Sequence, residues 1–239
     1  MHDQAPPPRH DGATSEAEAR EPTPDVIREV DARRYVVLSV GVVATVAFAV
    51  LRLVVALGGH EPLPLDVWWH WFTLATESDP GIFLAWIPAV LGGTIGMIVI
   101  GIALVLLFLW RRRRWDAVNM AAAIALVVAI GAPMAAIIAR ARPEDSLAER
   151  VATSFPSGHT AVATTVVLTL ALILRRWYIW VFGSAWVVWM MWSRTYLHAH
   201  WLSDVVAGLL EGIAVACLVW VAVESVRDRR AVRASSEYA

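Results

Sequence analysis

The chain has 239 residues, 58% of them hydrophobic, and a mean hydropathy of +0.58. This composition is typical of an integral membrane protein and excludes an ordinary soluble domain. The net charge of −1 says little because the charges are segregated along the chain, and the single cysteine, Cys217, excludes an intrachain disulfide.

Residues 1–34 contain many prolines and charges and almost no large apolar residue before Val26. They are predicted to form a disordered cytoplasmic tail, and they lack the pattern of a signal peptide. Residues 225–239 are predicted to form a second cytoplasmic tail. The sequence between the tails, residues 35–224, is predicted to be one membrane domain.

Six apolar segments of this domain approach the ~20 residues that a helix needs to cross a bilayer core. They lie at residues 35–57, within 81–110, and at 117–139, 160–174, 177–192 and 205–223. The fold class is therefore predicted to be all-α, a polytopic membrane bundle with six transmembrane helices.

A shorter stretch at residues 65–72 contains three tryptophans and a phenylalanine. It is too short to span and is predicted to be an interfacial helix lying on the membrane. It either lines the entrance for a lipid or merely anchors the protein. Asp66 and His70, spaced i, i+4 on this helix, are expected to be a solvated surface pair.

With six spans, four arginine clusters fall on one side of the membrane: residues 33–34, 111–114, 175–176 and 227–230. The positive-inside rule makes this side the cytoplasm. Two polar stretches, residues 140–159 and 193–204, then share the extracytoplasmic face. Arg140, Arg142 and Arg194 lie in these stretches, where positive charge is otherwise avoided, and are therefore functional candidates.

A histidine and a carboxylate come together at the start of the sixth predicted span. Asp204 follows His200 by four residues, so both side chains can lie on one helical face. A carboxylate that accepts from one imidazole nitrogen leaves the other free to attack an electrophile. The alternative is that Asp204 is a helix cap beside an unrelated histidine. His198, offset by two from His200, is expected to face elsewhere as a surface or supporting residue.

A turn of small residues directly precedes the fourth predicted span. Ser157 can cap that helix, and the amides of Gly158 and His159 would point at an anion bound there. A plain helix cap would explain the same residues. Arg142 and Arg194 add bidentate donors suited to phosphoryl oxygens, and His159 would be free to protonate a leaving oxygen. Together these residues suit a phosphate group.

The chain resembles the type 2 phosphatidic acid phosphatase superfamily, which includes the vanadium-dependent haloperoxidases. The resemblance rests on Arg142-Pro143, on Pro156-Ser157-Gly158-His159, and on Ser193-Arg194 followed by His200 and Asp204. It implies that His200 is the nucleophile, forming a phosphohistidine, and that Asp204 orients it. It also implies that His159 protonates the leaving group and later assists the attack of water.

The same resemblance implies that the phosphoryl group is held without a metal or cofactor, by Arg142, Arg194, Ser157 and the Gly158 amide. One position departs from the family pattern. The first motif normally has a lysine seven residues before its final arginine, and this chain has Ala135 there. Arg140 is expected to supply the missing charge as a further phosphate-binding residue.

The resulting expectation is a multi-pass phosphatase of the plasma (inner) membrane that acts on a lipid phosphate or diphosphate at the extracytoplasmic face. Its partners would be membrane lipids and this substrate, with no nucleic acid, and the oligomeric state stays open. Polyprenyl diphosphates, phosphatidylglycerol phosphate and phosphatidic acid are the candidate substrates, and three arginines slightly favour a diphosphate. The alternatives are a lipid phosphotransferase using the same histidine and a catalytically weakened lipid-binding or transport protein. A haloperoxidase is disfavoured by the long apolar segments.

Overall fold

A computed structural model of the chain describes residues 24–148 and 153–236. Its helices are α1 (Pro24–Leu57), α2 (Pro64–Ala75), α3 (Asp79–Leu91), α4 (Thr94–Trp110), α5 (Arg114–Ile138), α6 (Gly158–Leu174), α7 (Trp177–Tyr196) and α8 (Leu202–Ser236). These described residues contain no strand, only an isolated bridge between Ala141 and Thr153. The prediction of an all-helical protein is therefore confirmed.

Three helices are long and apolar enough to cross a membrane, namely α1, α5 and α8. The pair α3 and α4 makes a fourth span if the two helices count as one. Helix α6 is apolar but has 17 residues, and the many tryptophans of α7 lower its mean hydropathy. The described residues thus form a membrane protein with several apolar helices, and the count of six spans stays a prediction.

The first and last helices are longer than the sequence predicts. Helix α1 begins at Pro24 and α8 continues to Ser236, so residues 24–34 and 225–236 are helical where tails are predicted. One contact links the two extensions, an ion pair between Arg34 of α1 and Asp228 of α8. Residues 1–23 and 237–239 of the two predicted tails lie outside the described residues.

The segment predicted as the second span is broken at two glycines. Helices α3 and α4 meet at Gly92 and Gly93 with a bend of 46°. A Cβ at Gly92 would lie 2.4 Å from the ring of Trp186 on α7, so only glycine permits this approach. The break places Thr94, the first residue of α4, opposite His159 at the start of α6.

Helices α6 and α8 pack closely because two glycines of α8 face α6. A Cβ at Gly208 would lie 2.5 Å from the carbonyl oxygen of Ser157, and one at Gly212 would lie 2.6 Å from Thr164. Small residues four apart allow this close contact between membrane helices. The amide of Ser157 also donates to the carbonyl of Asp204 at 3.0 Å. The starts of α6 and α8, which carry the predicted motifs, are thereby held together.

The arginine clusters and the two polar stretches lie at opposite ends of the bundle, as the sequence predicts. At one end, Arg33 donates to the carbonyl of Leu172 at 2.7 Å, and Arg230 lies over the ring of Trp115. The other end, called the site end below, carries both polar stretches, because α5 and α7 end there while α6 and α8 begin there. Helix α2, which the sequence predicts to be interfacial, also packs at this end, through Asp66.

Candidate active site

The imidazole of His200 is buried and held by both ring nitrogens. Its Nδ1 lies 2.7 Å from the carbonyl oxygen of Ser154, which can only accept a hydrogen bond. Nδ1 therefore carries the proton, and Nε2 presents a lone pair. The Nη1 atom of Arg142 lies 3.2 Å from Nε2. In this arrangement the unprotonated nitrogen of a neutral imidazole faces a cationic side chain.

Asp204 lies beside His200 without bonding to it directly. Its Oδ2 is 3.8 Å from Nδ1, which is too long for a hydrogen bond. The same Oδ2 accepts from the amide of Trp201 at 2.9 Å, as in a helix capping box, and Oδ1 accepts from Arg140 at 2.6 Å. Asp204 thus caps α8 and places a negative charge near the ring, while the carbonyl of Ser154 takes the hydrogen bond that the sequence suggested for Asp204.

The surroundings of His200 lower its pKa below the ordinary value. Burial is the largest cause, and the positive charges of Arg142 and Arg194 act in the same direction, against the opposing effect of Asp204. The ring is therefore neutral at neutral pH. A neutral imidazole with an unprotonated Nε2 is the form that can act as a nucleophile.

A cavity of about 270 Å³ opens at His200. It is lined by His200, Arg142, Gly158 and His159 together with small and apolar residues of α5, among them Ala135. The Nδ1 of His159 lies 3.5 Å from the hydroxyl of Thr94. Two histidines and an arginine therefore face one cavity that also has an apolar wall.

Two other predicted phosphate ligands lie close to this cavity. Arg194, near the end of α7, is buried and close enough to His200 to affect its pKa. Ser157 is fully buried, and its hydroxyl accepts from Thr160 at 3.2 Å. The structure thus places the backbone of Gly158 on the cavity, while the side chain of Ser157 points into the packing beneath it.

Arg140 does not take the position that the sequence analysis expected for it. Its side chain is 0% exposed, and all five of its N–H groups have an acceptor. These acceptors are the carbonyls of His60 and Glu61, the hydroxyl of Ser203, and the carboxylates of Asp66 and Asp204, at 2.6 to 3.2 Å. No N–H remains for a phosphate, so its expected role as a phosphate ligand is wrong in this structure.

Asp66 is the site-end residue that the sequence analysis missed. It is 1% exposed and not the solvated partner of His70 that its spacing suggested. It accepts from Arg140 at 2.8 Å and from both the amide and the hydroxyl of Ser203 at 2.7 Å. A network from α2 through Arg140 therefore reaches Asp204 and the first turn of α8. Charged residues at membrane depth need partners, and that need was the signal available in the sequence.

Comparisons with known proteins agree with the motifs. Residues 116–228 match the family model of the PAP2 superfamily. An undecaprenyl-diphosphatase of Sulfolobus acidocaldarius is 31% identical over 114 residues, which make up 45% of this chain and 55% of that relative. The match thus spans about half the length of the curated relative.

A solved structure shows the same fold. It is that of a transmembrane PAP2 type phosphatidylglycerolphosphate phosphatase from Bacillus subtilis, with a TM-score of 0.69 and 20% identity. The likeness covers 78% of this chain and 96% of the other. The predicted resemblance to the type 2 phosphatidic acid phosphatase superfamily is therefore confirmed.

Proposed function

We propose, from the PAP2-superfamily match over residues 116–228, that this chain is a membrane phosphatase that hydrolyses a lipid phosphate or diphosphate through a phosphohistidine. The observation that carries the proposal is the shared cavity of His200, His159 and Arg142. A nucleophile, a proton donor and a cation face the same space, which is what phosphoryl transfer requires.

In the first half of the reaction, Nε2 of His200 attacks the phosphorus atom. Arg142, now 3.2 Å from Nε2, would turn its donors to the phosphoryl oxygens, with Arg194 adding positive charge behind it. The bond from phosphorus to the leaving oxygen breaks, and that oxygen takes a proton from His159. The ring of His200 becomes a phosphorylated cation, which the carboxylate of Asp204 and the carbonyl of Ser154 stabilise.

In the second half, water replaces the leaving group. His159, now neutral, accepts a proton from the water as its oxygen attacks phosphorus. The bond between phosphorus and Nε2 breaks, inorganic phosphate leaves, and His200 returns to its neutral form. Two proton transfers through His159 therefore restore the starting state, and the chemistry needs no metal or cofactor at these atoms.

A lipid substrate suits the cavity because His200, His159 and Arg142 line it together with small and apolar side chains of α5, among them Val127, Val128 and Ala132. Arg140 no longer supports a diphosphate, because its donors are occupied. The support comes instead from the relative named as an undecaprenyl-diphosphatase. Polyprenyl diphosphate is therefore the first substrate to test, followed by phosphatidylglycerol phosphate and phosphatidic acid.

The site is proposed to open on the extracytoplasmic face of the plasma membrane. The four arginine clusters lie towards the end of the bundle opposite the site end, and positive-inside bias assigns that end to the cytoplasm. Both termini would then be cytoplasmic. Labelling single cysteines at the two ends of the bundle in intact cells, in a Cys217→Ser background, tests this orientation.

Phosphate release by the purified protein in detergent, without added metal, tests the activity. A panel of the three lipids is assayed with wild-type protein, His200→Ala and the matched control His60→Asn, which alters a histidine outside the cavity. We expect release by wild type and His60→Asn and none by His200→Ala. Substantial release by His200→Ala would refute the mechanism. Folded wild-type protein that binds a lipid but releases no phosphate would indicate a binding protein, and phosphate found on an added alcohol would indicate a transferase.

A further inference from the structure

Two histidines and two carboxylates meet at the site end, outside the cavity. His70 of α2 lies 3.2 Å from Asp145 through Nε2 and Oδ2. His198 lies 3.3 Å from the same Oδ2 through its Nδ1, and the Nδ1 atoms of the two histidines are 3.4 Å apart. The second nitrogen of His198 is 3.0 Å from Oε2 of Glu77. None of these side chains takes part in the proposed phosphoryl transfer.

The spacing of this cluster fits a tetrahedral transition-metal ion. One ligand atom from each of His70, Asp145 and His198 lies within 4.8 Å of the others. Zinc bonds to nitrogen and oxygen of about 2.0–2.1 Å put neighbouring tetrahedral ligands about 3.3 Å apart. The two contacts made by Oδ2 of Asp145, 3.2 and 3.3 Å, already match that edge. Only the distance between the coordinating nitrogens of His70 and His198 still has to reach that value.

The backbone at His198 shows that the site has an unusual local conformation. His198 has φ of 53°, in the left-handed region that few residues other than glycine adopt, and its side chain is 1% exposed. Strained backbone that the surrounding fold maintains is concentrated at functional sites. Glu77 holds the far nitrogen of the same ring, in the carboxylate–histidine arrangement that orients metal ligands.

The charge and access of the cluster also suit a cation. Its two carboxylates, Asp145 and Glu77, supply negative charge beside the two imidazoles. The side chain of Asp145 is 42% exposed, which leaves an entry path for an ion.

We propose that His70, Asp145 and His198 bind a zinc ion, with a fourth position for water and with Glu77 orienting His198. Two imidazoles and one carboxylate are donors that zinc accepts, whereas calcium and magnesium prefer oxygen ligands. The ion joins α2 to the loop that follows Arg142 and to the turn that precedes His200. It therefore braces two segments of the active site without entering the reaction.

Metal binding by the full-length protein tests the proposal independently of turnover. The protein is purified with a tag that contains no histidine, stripped with a chelator and titrated with Zn²⁺, and Co²⁺ serves as a spectroscopic probe of coordination. We expect about one zinc per chain, visible absorption bands of a tetrahedral cobalt site, and a higher melting temperature with zinc. Glu77→Gln should weaken binding by about 10–100-fold.

The variants Asp145→Asn and His70→Gln should lose the bound ion and the zinc-dependent rise in melting temperature. His60→Asn, a histidine at the same end with φ of 66°, should keep both. Asp145 is partly exposed and its replacement is nearly isosteric, so the apo form of that variant should melt as wild-type apo protein does. Equal zinc affinity in wild type, Asp145→Asn and His70→Gln, or no retained zinc in wild type, would overturn the proposal.

Discussion

Replacement of Arg140 distinguishes a buried structural cation from a phosphate ligand. Five N–H groups of Arg140 are bonded, and two of the acceptors are carboxylates that are 1% exposed or less, Asp66 and Asp204. Arg140→Ala would leave both carboxylates buried without their cation. Breaking a buried ion pair in this way costs about 3–5 kcal/mol. At roughly 2–4 °C per kcal/mol for a chain of this size, the melting temperature should fall by roughly 6–20 °C.

Thermal unfolding of the purified variants in detergent, followed by circular dichroism, measures this loss. Arg140→Lys keeps the charge but offers at most three donors for five oxygens, so it should lie between wild type and Arg140→Ala. Arg229→Ala, at an exposed arginine of α8, is the matched control and should leave stability unchanged. The Michaelis constant of Arg140→Lys should stay near that of wild type, because Arg140 has no N–H for substrate. An unchanged melting temperature together with a raised Michaelis constant would refute this reasoning.

Three further predictions follow from the same geometry. Ala135→Lys adds a cation to the wall of the cavity. A charged hydrogen bond from this lysine to bound orthovanadate, of about 1.5–3 kcal/mol, should tighten inhibition by orthovanadate roughly tenfold or more. Unchanged inhibition would mean that the new side chain does not reach the bound anion. Gly208→Ala forces a Cβ to 2.5 Å from the carbonyl oxygen of Ser157. The free energy of unfolding should therefore fall by about 1–3 kcal/mol, and turnover should fall with it. The control Gly131→Ala, whose Cβ would have its nearest contact at 3.4 Å, should unfold as the wild-type protein does. The pKa of His200 is lowered, and its neutral ring is the attacking form. The midpoint of the acid limb of the kcat/KM profile should therefore lie below the ordinary histidine pKa of about 6.5. A midpoint above that value would contradict the assignment.

Local sequence patterns predict the parts of the site that lie on one segment. The spacing of His200 and Asp204 and the turn that contains His159 are readable because each motif directly precedes an apolar helix. Arginine clusters at alternate ends also predict which helix ends lie together. The close packing of α6 on α8 then follows from Gly208 and Gly212, although only the structure shows that they face α6.

Contacts between distant segments account for what the sequence did not predict. Arg140 and Asp66 are 74 residues apart, and nothing in either neighbourhood indicates the other. A free arginine near the motif was therefore expected where a buried, fully bonded one occurs. The bond from His200 to Ser154 uses a backbone carbonyl, a group that every residue carries and no sequence pattern marks. The close approach of Trp186 on α7 to Gly92 likewise joins two helices that are distant in sequence.

Isolation of the covalent intermediate tests the central claim most directly. Substrate lipid carrying a labelled terminal phosphate is mixed with the enzyme, the reaction is quenched in alkali, which preserves phosphohistidine, and the peptides are mapped by mass spectrometry. The account predicts one phosphoryl group on His200 in the wild-type protein and none in His200→Ala. Turnover that leaves His200 unmodified, with label on another residue or with full activity in His200→Ala, would contradict it.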